Sequence, residues 1–95
     1  MLFEWDDNKN RRNIFKHSVG FETAVKVFND PSRIEKYDVK HSIYEDRYIT
    51  IGAIGESDYI IVLVYTQRDE FTRVISARRA TAQERRVYND SKKKH

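Results

Sequence analysis

The chain has 95 residues, 35% charged and 39% hydrophobic, with no cysteine; that suffices for one domain over 1–95 and excludes disulfides and cysteine-based zinc sites. Its net charge of +3 is uneven: residues 71–95 hold eight Lys/Arg against two Asp/Glu, so that end carries +6 and the first 70 residues carry −3. No apolar run has the length of a signal peptide or a bilayer span; the lack of cysteine fits a reducing cytoplasm, and the basic end suggests a partner rich in phosphate.

Residues 2–5, Leu-Phe-Glu-Trp, predict a short first strand. Asp6 is placed to cap a helix over Asp7–His17, with Asp7 in its positive first turn and Ile14 and Phe15 as its apolar anchors. Gly20 breaks the pattern, and Phe21, Ala24, Val25 and Phe28 recur at helical spacing until Asn29-Asp30-Pro31 ends the second helix. Residues 33–39 predict a weak, edge-type strand and 42–54 a stronger one, followed by a hairpin loop at 55–58. The run 59–66 is almost wholly apolar and predicts a central strand covered on both faces. A turn at 67–70 leads into a last strand over 71–77. Thr81 with Glu84 three residues later is a capping box for a helix to about Asn89, and the basic tail 91–95 is expected to fray. The order β-α-α-β-β-β-β-α predicts an α+β fold in two layers, with helices packed on an antiparallel sheet.

Three clusters could carry chemistry. Lys16 and His17 end the first helix, where His17 could move a proton or could simply complement the helix dipole. Glu45 and Arg47 fall two apart in the predicted strand, on one face with Ile43 and Ile49; they either pair on a solvated face or line a groove. In the last strand, alternation places Ser76 and Arg78 on one face and Arg73 on the other. Arg78 and Arg79 meet a helix N-terminus, which suits a phosphate, although both could instead be solvated or paired with Glu45, Asp46 or Glu84. Glu84 reads as a cap before a catalyst, and His41 reads as a surface residue. The three histidines lack metal-ligand spacing, so no metal or cofactor is expected.

These residue types fit RNA cleavage by the 2′-hydroxyl, which needs a base for the hydroxyl proton and cations for the charge on phosphorus. Tyr44, Tyr48, Tyr65 and Tyr88 offer surfaces for base stacking. A non-catalytic RNA binder would have nearly the same profile.

Phe3-Glu-Trp-Asp6, Asn13, Lys16-His17, Phe21-Glu22, Val27-Phe28 and Asp30-Pro31 resemble the BrnT toxin family. So do Glu45 with Arg47-Tyr48, Ile51-Gly52, Arg73 to Arg78, Ala80, Glu84-Arg85 and Tyr88. The likeness spans nearly the whole chain and keeps the family's motif order. It departs at Ser18-Val-Gly20, where the resemblance leads one to expect the glycine and the small polar residue in the opposite order. It implies a RelE-like fold and a metal-independent ribonuclease toxin of a type II toxin–antitoxin system. It further implies a ribbon-helix-helix BrnA antitoxin in a heterotetrameric complex, which contacts operator DNA only through the antitoxin. Under this resemblance Arg47 and Arg78 would bind the scissile phosphate, and Glu45 or His17 would transfer the proton. Lys16, Arg73, Ser76 and Arg79 would hold the neighbouring RNA. The competing reading is a non-catalytic RNA-binding or co-repressor subunit.

Overall fold

A computed structural model describes residues 1–55 and 59–93. Its elements follow the expected order: β1 (Leu2–Glu4), α1 (Asp7–His17), α2 (Phe21–Ala24), a 3₁₀ helix (Val25–Asn29), β2 (Ile34–Tyr37), β3 (Arg47–Ala53), β4 (Ile60–Arg68), β5 (Phe71–Arg79) and α3 (Ala82–Lys93). Asp6 caps α1 through its carboxylate, which accepts the Asn8 and Lys9 N–H groups at 2.8 and 3.1 Å. The capping box starts α3: Thr81 N–H reaches Glu84 Oε1 at 2.8 Å, and Glu84 N–H reaches Thr81 Oγ1 at 3.2 Å. Unlike the expected frayed tail, α3 continues to Lys93; residues 94 and 95 lie outside the described residues, as do 56–58 of the predicted hairpin loop.

The strands form one sheet in the order β1-β5-β4-β3-β2, with β2 at the edge as expected. Three neighbouring pairs are antiparallel, but β1 runs parallel to β5, so the sheet is mixed. Alternation along β4 sends Ile61 and Leu63 to one face and Ile60 and Val62 to the other. On the first face, α1, α2 and the 3₁₀ helix enclose a core of Val19, Phe21, Ala24, Val27, Ile61, Leu63, Val74 and Ala77. On the second, α3 covers Ile51, Ile60 and Val62 with Ala80 and Tyr88. Gly52 lets the 3₁₀ helix approach β3, because a Cβ there would stand 3.2 Å from Val27 Cβ and 3.3 Å from its carbonyl oxygen.

Three local expectations are overturned. The strand predicted over 42–54 begins only at Arg47, because Ser42 Oγ bridges Asp38 and Arg47: it donates to the Asp38 carbonyl at 2.6 Å and accepts the Arg47 N–H at 2.8 Å. Residues 42–46 are therefore a folded loop, and Ile43 and Glu45 do not share a strand face with Arg47. The anchor of α1 is neither Ile14 nor Phe15, which are 47% and 93% exposed, but the buried Asn13. Strand β1 pairs with β5 only as far as Arg73, so the edge of β5 beyond it is unpaired by strand. The Asn13 amide fills that gap: Nδ2 donates to the Ala77 carbonyl at 2.7 Å and to the Val19 carbonyl at 2.9 Å, while Oδ1 accepts the Ala77 N–H at 3.2 Å.

The third correction concerns β5. Ser76 lies opposite Val64 and Val74 opposite Tyr65, so Ile75 is the extra residue of a bulge. Strict alternation fails across it. Val74 and Ala77 both enter the first core, and Arg73, opposite Thr66, comes onto the same face as Ser76 and Arg78.

Candidate active site

The helix α3 covers only one end of the second sheet face. The remainder is a groove of about 370 Å³, floored by Ile49, Ile51, Val62, Val64 and Ser76, with Arg47 and Arg78 among its walls. Strand register fixes the relation of these residues. Arg47 lies opposite Thr66, which lies opposite Arg73, and Arg73 lies opposite Glu4. Ile51, Val62 and Arg78 form a parallel row further along the strands. The sheet thus sets Arg47 and Arg78 apart over a floor that is mostly aliphatic.

The two arginines are held differently. Arg78 is clamped by the capping-box glutamate, with Nη1 2.7 Å from Oε1 and Nη2 2.8 Å from Oε2 of Glu84. The Arg78 hydrogen bond is the main reason that the Glu84 carboxyl falls to about 2, and it also raises the Arg78 guanidinium above its ordinary range. Pairing with Glu84, one of the open sequence alternatives, is therefore what Arg78 does, and it does so while lining the groove. Arg47 has a looser partner: its Nη2 is 3.9 Å from Glu45 Oε1. Its Nε is buried and has no partner among the described residues, which is costly for a charged donor.

Glu45 stands beside the groove in the 38–46 loop. Its Oε2 accepts from Arg68 Nη2 at 3.1 Å, so it links Arg68 to Arg47. Arg73 faces the same side of the sheet but is 3.5 Å from Glu4 at the far strand. Ser76 lies in the groove floor and also in a shallow hollow with Lys9, Arg12, Lys16 and His17. This juxtaposition follows from Asn13, which lays α1 along the edge of β5. A wider hollow of about 660 Å³ joins Lys16 and His17 to Arg78, Arg79 and Thr81. The Arg79 guanidinium lies over the Tyr59 ring at 4.3 Å. Arg78 thus borders both the groove and the outer basic hollow.

The tyrosines divide. Tyr48 and Tyr65 stack on each other at 5.4 Å on the opposite sheet face, within a row that continues through Phe28 to Phe3. Tyr88 is buried beneath α3, its hydroxyl on Asp30, and burial with that contact pushes the phenol up to about 12. None of these three is available to stack a base at the groove. Tyr44 is 99% exposed on the 38–46 loop and remains so.

Sequence reasoning missed Lys36, Asp38 and the place of His41, all of which line the groove. His41 was expected to be a plain surface residue. It is exposed as expected, its side chain 56% accessible, and its Nδ1 meets Asp38 Oδ2 at 2.9 Å. The Asp-x-x-His spacing was the available signal, and only the folded loop gives it meaning. Among the described residues, no three His, Cys, Asp or Glu side chains converge as a metal site, and no helix is long and apolar enough to cross a membrane.

No curated protein matches the chain. The family model for the BrnT ribonuclease toxin of type II toxin–antitoxin systems matches residues 5–84, a span that holds the groove and the residues of both basic hollows. Together with a two-faced α+β sheet that brings Arg47 and Arg78 to one groove, this places the chain in the BrnT family of ribonuclease toxins.

Proposed function

We propose that this chain is a metal-independent endoribonuclease that cleaves RNA by attack of a 2′-hydroxyl on the adjacent phosphate, in the groove between Arg47 and Arg78. The observation that carries the reading is the pair of guanidiniums lining one groove. A phosphate would meet the accessible ends of these guanidiniums, and charge developing on phosphorus-bound oxygens strengthens the contact in the transition state. Arg78 stays competent while clamped. A guanidinium has five N–H donors, and its bonds to Glu84 and to the Arg79 carbonyl leave at least one for phosphate. Lys16, His17 and Arg79 would carry the neighbouring phosphates from the outer hollow, with Ser76 at the junction. Arg73, drawn toward Glu4, would serve a more distant one. Glu45, already occupied by Arg68, is assigned to holding Arg47 rather than to proton transfer.

The protein partner of a type II toxin is its antitoxin. We further assign a BrnA-type ribbon-helix-helix antitoxin, a heterotetrameric complex with operator contacts made by the antitoxin, and a cytoplasmic site of action. Exposed Val39, Ile43 and Tyr44 on the loop beside the groove, and Phe15 on α1, are apolar surface suited to such a partner.

Protein freed of antitoxin should cleave RNA in EDTA and leave 2′,3′-cyclic phosphate ends. Arg47→Ala should lose on the order of 10²–10³ in rate and relieve growth arrest while melting like the parent. Undiminished cleavage by Arg47→Ala, or cleavage abolished by EDTA, would refute the proposal.

A further inference from the structure

We propose that His41, oriented by Asp38, is the catalytic group that takes the proton from the attacking 2′-hydroxyl. The inference rests on the ribonuclease reading above and supplies the proton acceptor that Glu45 does not.

The 38–46 loop is built around these two residues. As the chain leaves β2, the Asp38 N–H donates to the Arg47 carbonyl at 2.8 Å, which closes the loop onto the first residue of β3. Asp38 is 8% exposed. Its Oδ1 accepts the His41 backbone N–H at 3.3 Å, and its Oδ2 meets His41 Nδ1 at 2.9 Å. Ser42 ties the Asp38 carbonyl to the Arg47 N–H. A loop so fixed gives the imidazole one orientation.

The carboxylate also selects the tautomer. With Asp38 ionised, Nδ1 carries the proton and Nε2 keeps its lone pair. The His41 side chain is 56% exposed, and Nε2 has no partner among the described residues. His41 and Arg47 line one groove, so a phosphate on Arg47 brings its neighbouring ribose to the same wall. The charged groups facing that groove are Lys36 from β2, Arg47 from β3, Arg78 from β5 and Glu84 from α3, besides Asp38 itself. Three cations against two carboxylates leave one net positive charge around the groove, carried by Lys36 and Arg47 once Arg78 and Glu84 are paired.

The step balances without a further reagent. His41 Nε2 takes the 2′-hydroxyl proton as the 2′-oxygen bonds to phosphorus. The bond from phosphorus to the 5′-oxygen breaks, and that oxygen takes a proton from water. The imidazolium then returns its proton to the hydroxide left behind. One product ends in a 2′,3′-cyclic phosphate and the other in a 5′-hydroxyl.

The test uses antitoxin-free protein, a short RNA, and kcat and KM measured from acid to alkaline pH. His41→Gln should lower kcat by roughly 10²–10³ with little change in KM, and the acid-side limb of the profile should disappear. His41→Gly should regain cleavage when imidazole is added. Asp38→Asn keeps an oxygen for the loop N–H but removes the carboxylate that fixes the imidazole, and should lower kcat while leaving KM little changed. If His41→Gln is as active as the parent while Arg47→Ala is inactive, the inference falls and the ribonuclease reading stands. Loss of activity in His41→Gln without imidazole rescue of His41→Gly, and with an unchanged pH profile, also overturns it. A parent protein that releases no cyclic phosphate overturns both.

Discussion

Substituting Glu84→Gln separates the two jobs of one carboxylate. Glu84 closes the capping box through Thr81 and pairs in two-pronged fashion with Arg78. A glutamine keeps an oxygen for the Thr81 N–H but loses the charge and the second acceptor that Arg78 uses. The carboxyl is held near 2, against an ordinary 4.5, first by Arg78 and then by Thr81 against the opposing effect of burial. Converted in full, that displacement corresponds to about 3 kcal/mol. The Arg78 side chain is 41% exposed, so solvent screening cuts the contribution to roughly half, about 1.5 kcal/mol.

The sign follows from the depressed folded-state value. The folded protein keeps Glu84 ionised at a pH where the unfolded chain has protonated it. The contribution is therefore complete above 4.5 and is lost as the pH falls to about 2. Thermal melts at neutral pH should put Glu84→Gln roughly 6–12 °C below the parent. Melts at successively lower pH should show the two proteins converging. A gap that persists at pH near 2 would mean that helix capping, not charge, is what the substitution removes. No gap at neutral pH would mean that the pair is a solvated contact of no net worth.

Asn13→Ala should cost about 3 kcal/mol, because it strands the buried N–H and carbonyl of Ala77 as well as the Val19 carbonyl; a urea titration measures this, and a loss well under 1 kcal/mol would show that water replaces the amide. Ser18→Gly should stabilise by about 0.5–1 kcal/mol, since Ser18 ends α1 with φ at 57°, where glycine avoids the Cβ clash; a lower melting temperature would refute the argument.

The parts of the fold legible in the sequence were those set by local chemistry. Asp6 and the Thr81–Glu84 box marked helix starts because side-chain acceptors must meet free backbone N–H groups there. The run at 59–66 marked the central strand because a short apolar run bounded by turn residues suits a strand buried on both faces. What escaped was set by partners distant in sequence. Nothing around Asn13 says that its amide will complete the edge of a strand 64 residues away. The bulge at Ile75 is invisible to alternation, and it reversed the expected side of Arg73. Of the candidate site, alternation put Ser76 and Arg78 on one face of the last strand and Arg47 with Ile49 on one face of another, and the sheet register brings both faces to the groove. Glu45 was misplaced because charged and apolar residues alternate through 43–49 just as in a strand, while Ser42 quietly supplies the hydrogen bonds of a loop.

The groove's two arginines do not offer equal tests of chemistry. Helix α3 has Tyr88 as its buried side chain, and its other ties to the body include the Arg78–Glu84 clamp and the Tyr88 hydroxyl on Asp30. Asp30 in turn accepts the N–H groups of Ser32 and Ala53, so Tyr88 is anchored to the end of β3. Removing Arg78 therefore strikes the cation in the groove and the first turn of α3 at once. Lost cleavage in Arg78→Ala mixes these effects unless it is compared with Glu84→Gln, which loosens the same turn but keeps the cation. A double-mutant cycle between the two isolates what Arg78 contributes beyond the clamp. Among the described residues, Arg47 has a single ionic approach to lose, the 3.9 Å one to Glu45. Its removal relieves a buried unpartnered N–H but also loses the packing of its partly buried stem, so Arg47→Ala should change stability little. A residue whose loss leaves the fold intact and abolishes cleavage is retained for the reaction, and among the groove's cations Arg47 is the one on which that separation is sharpest.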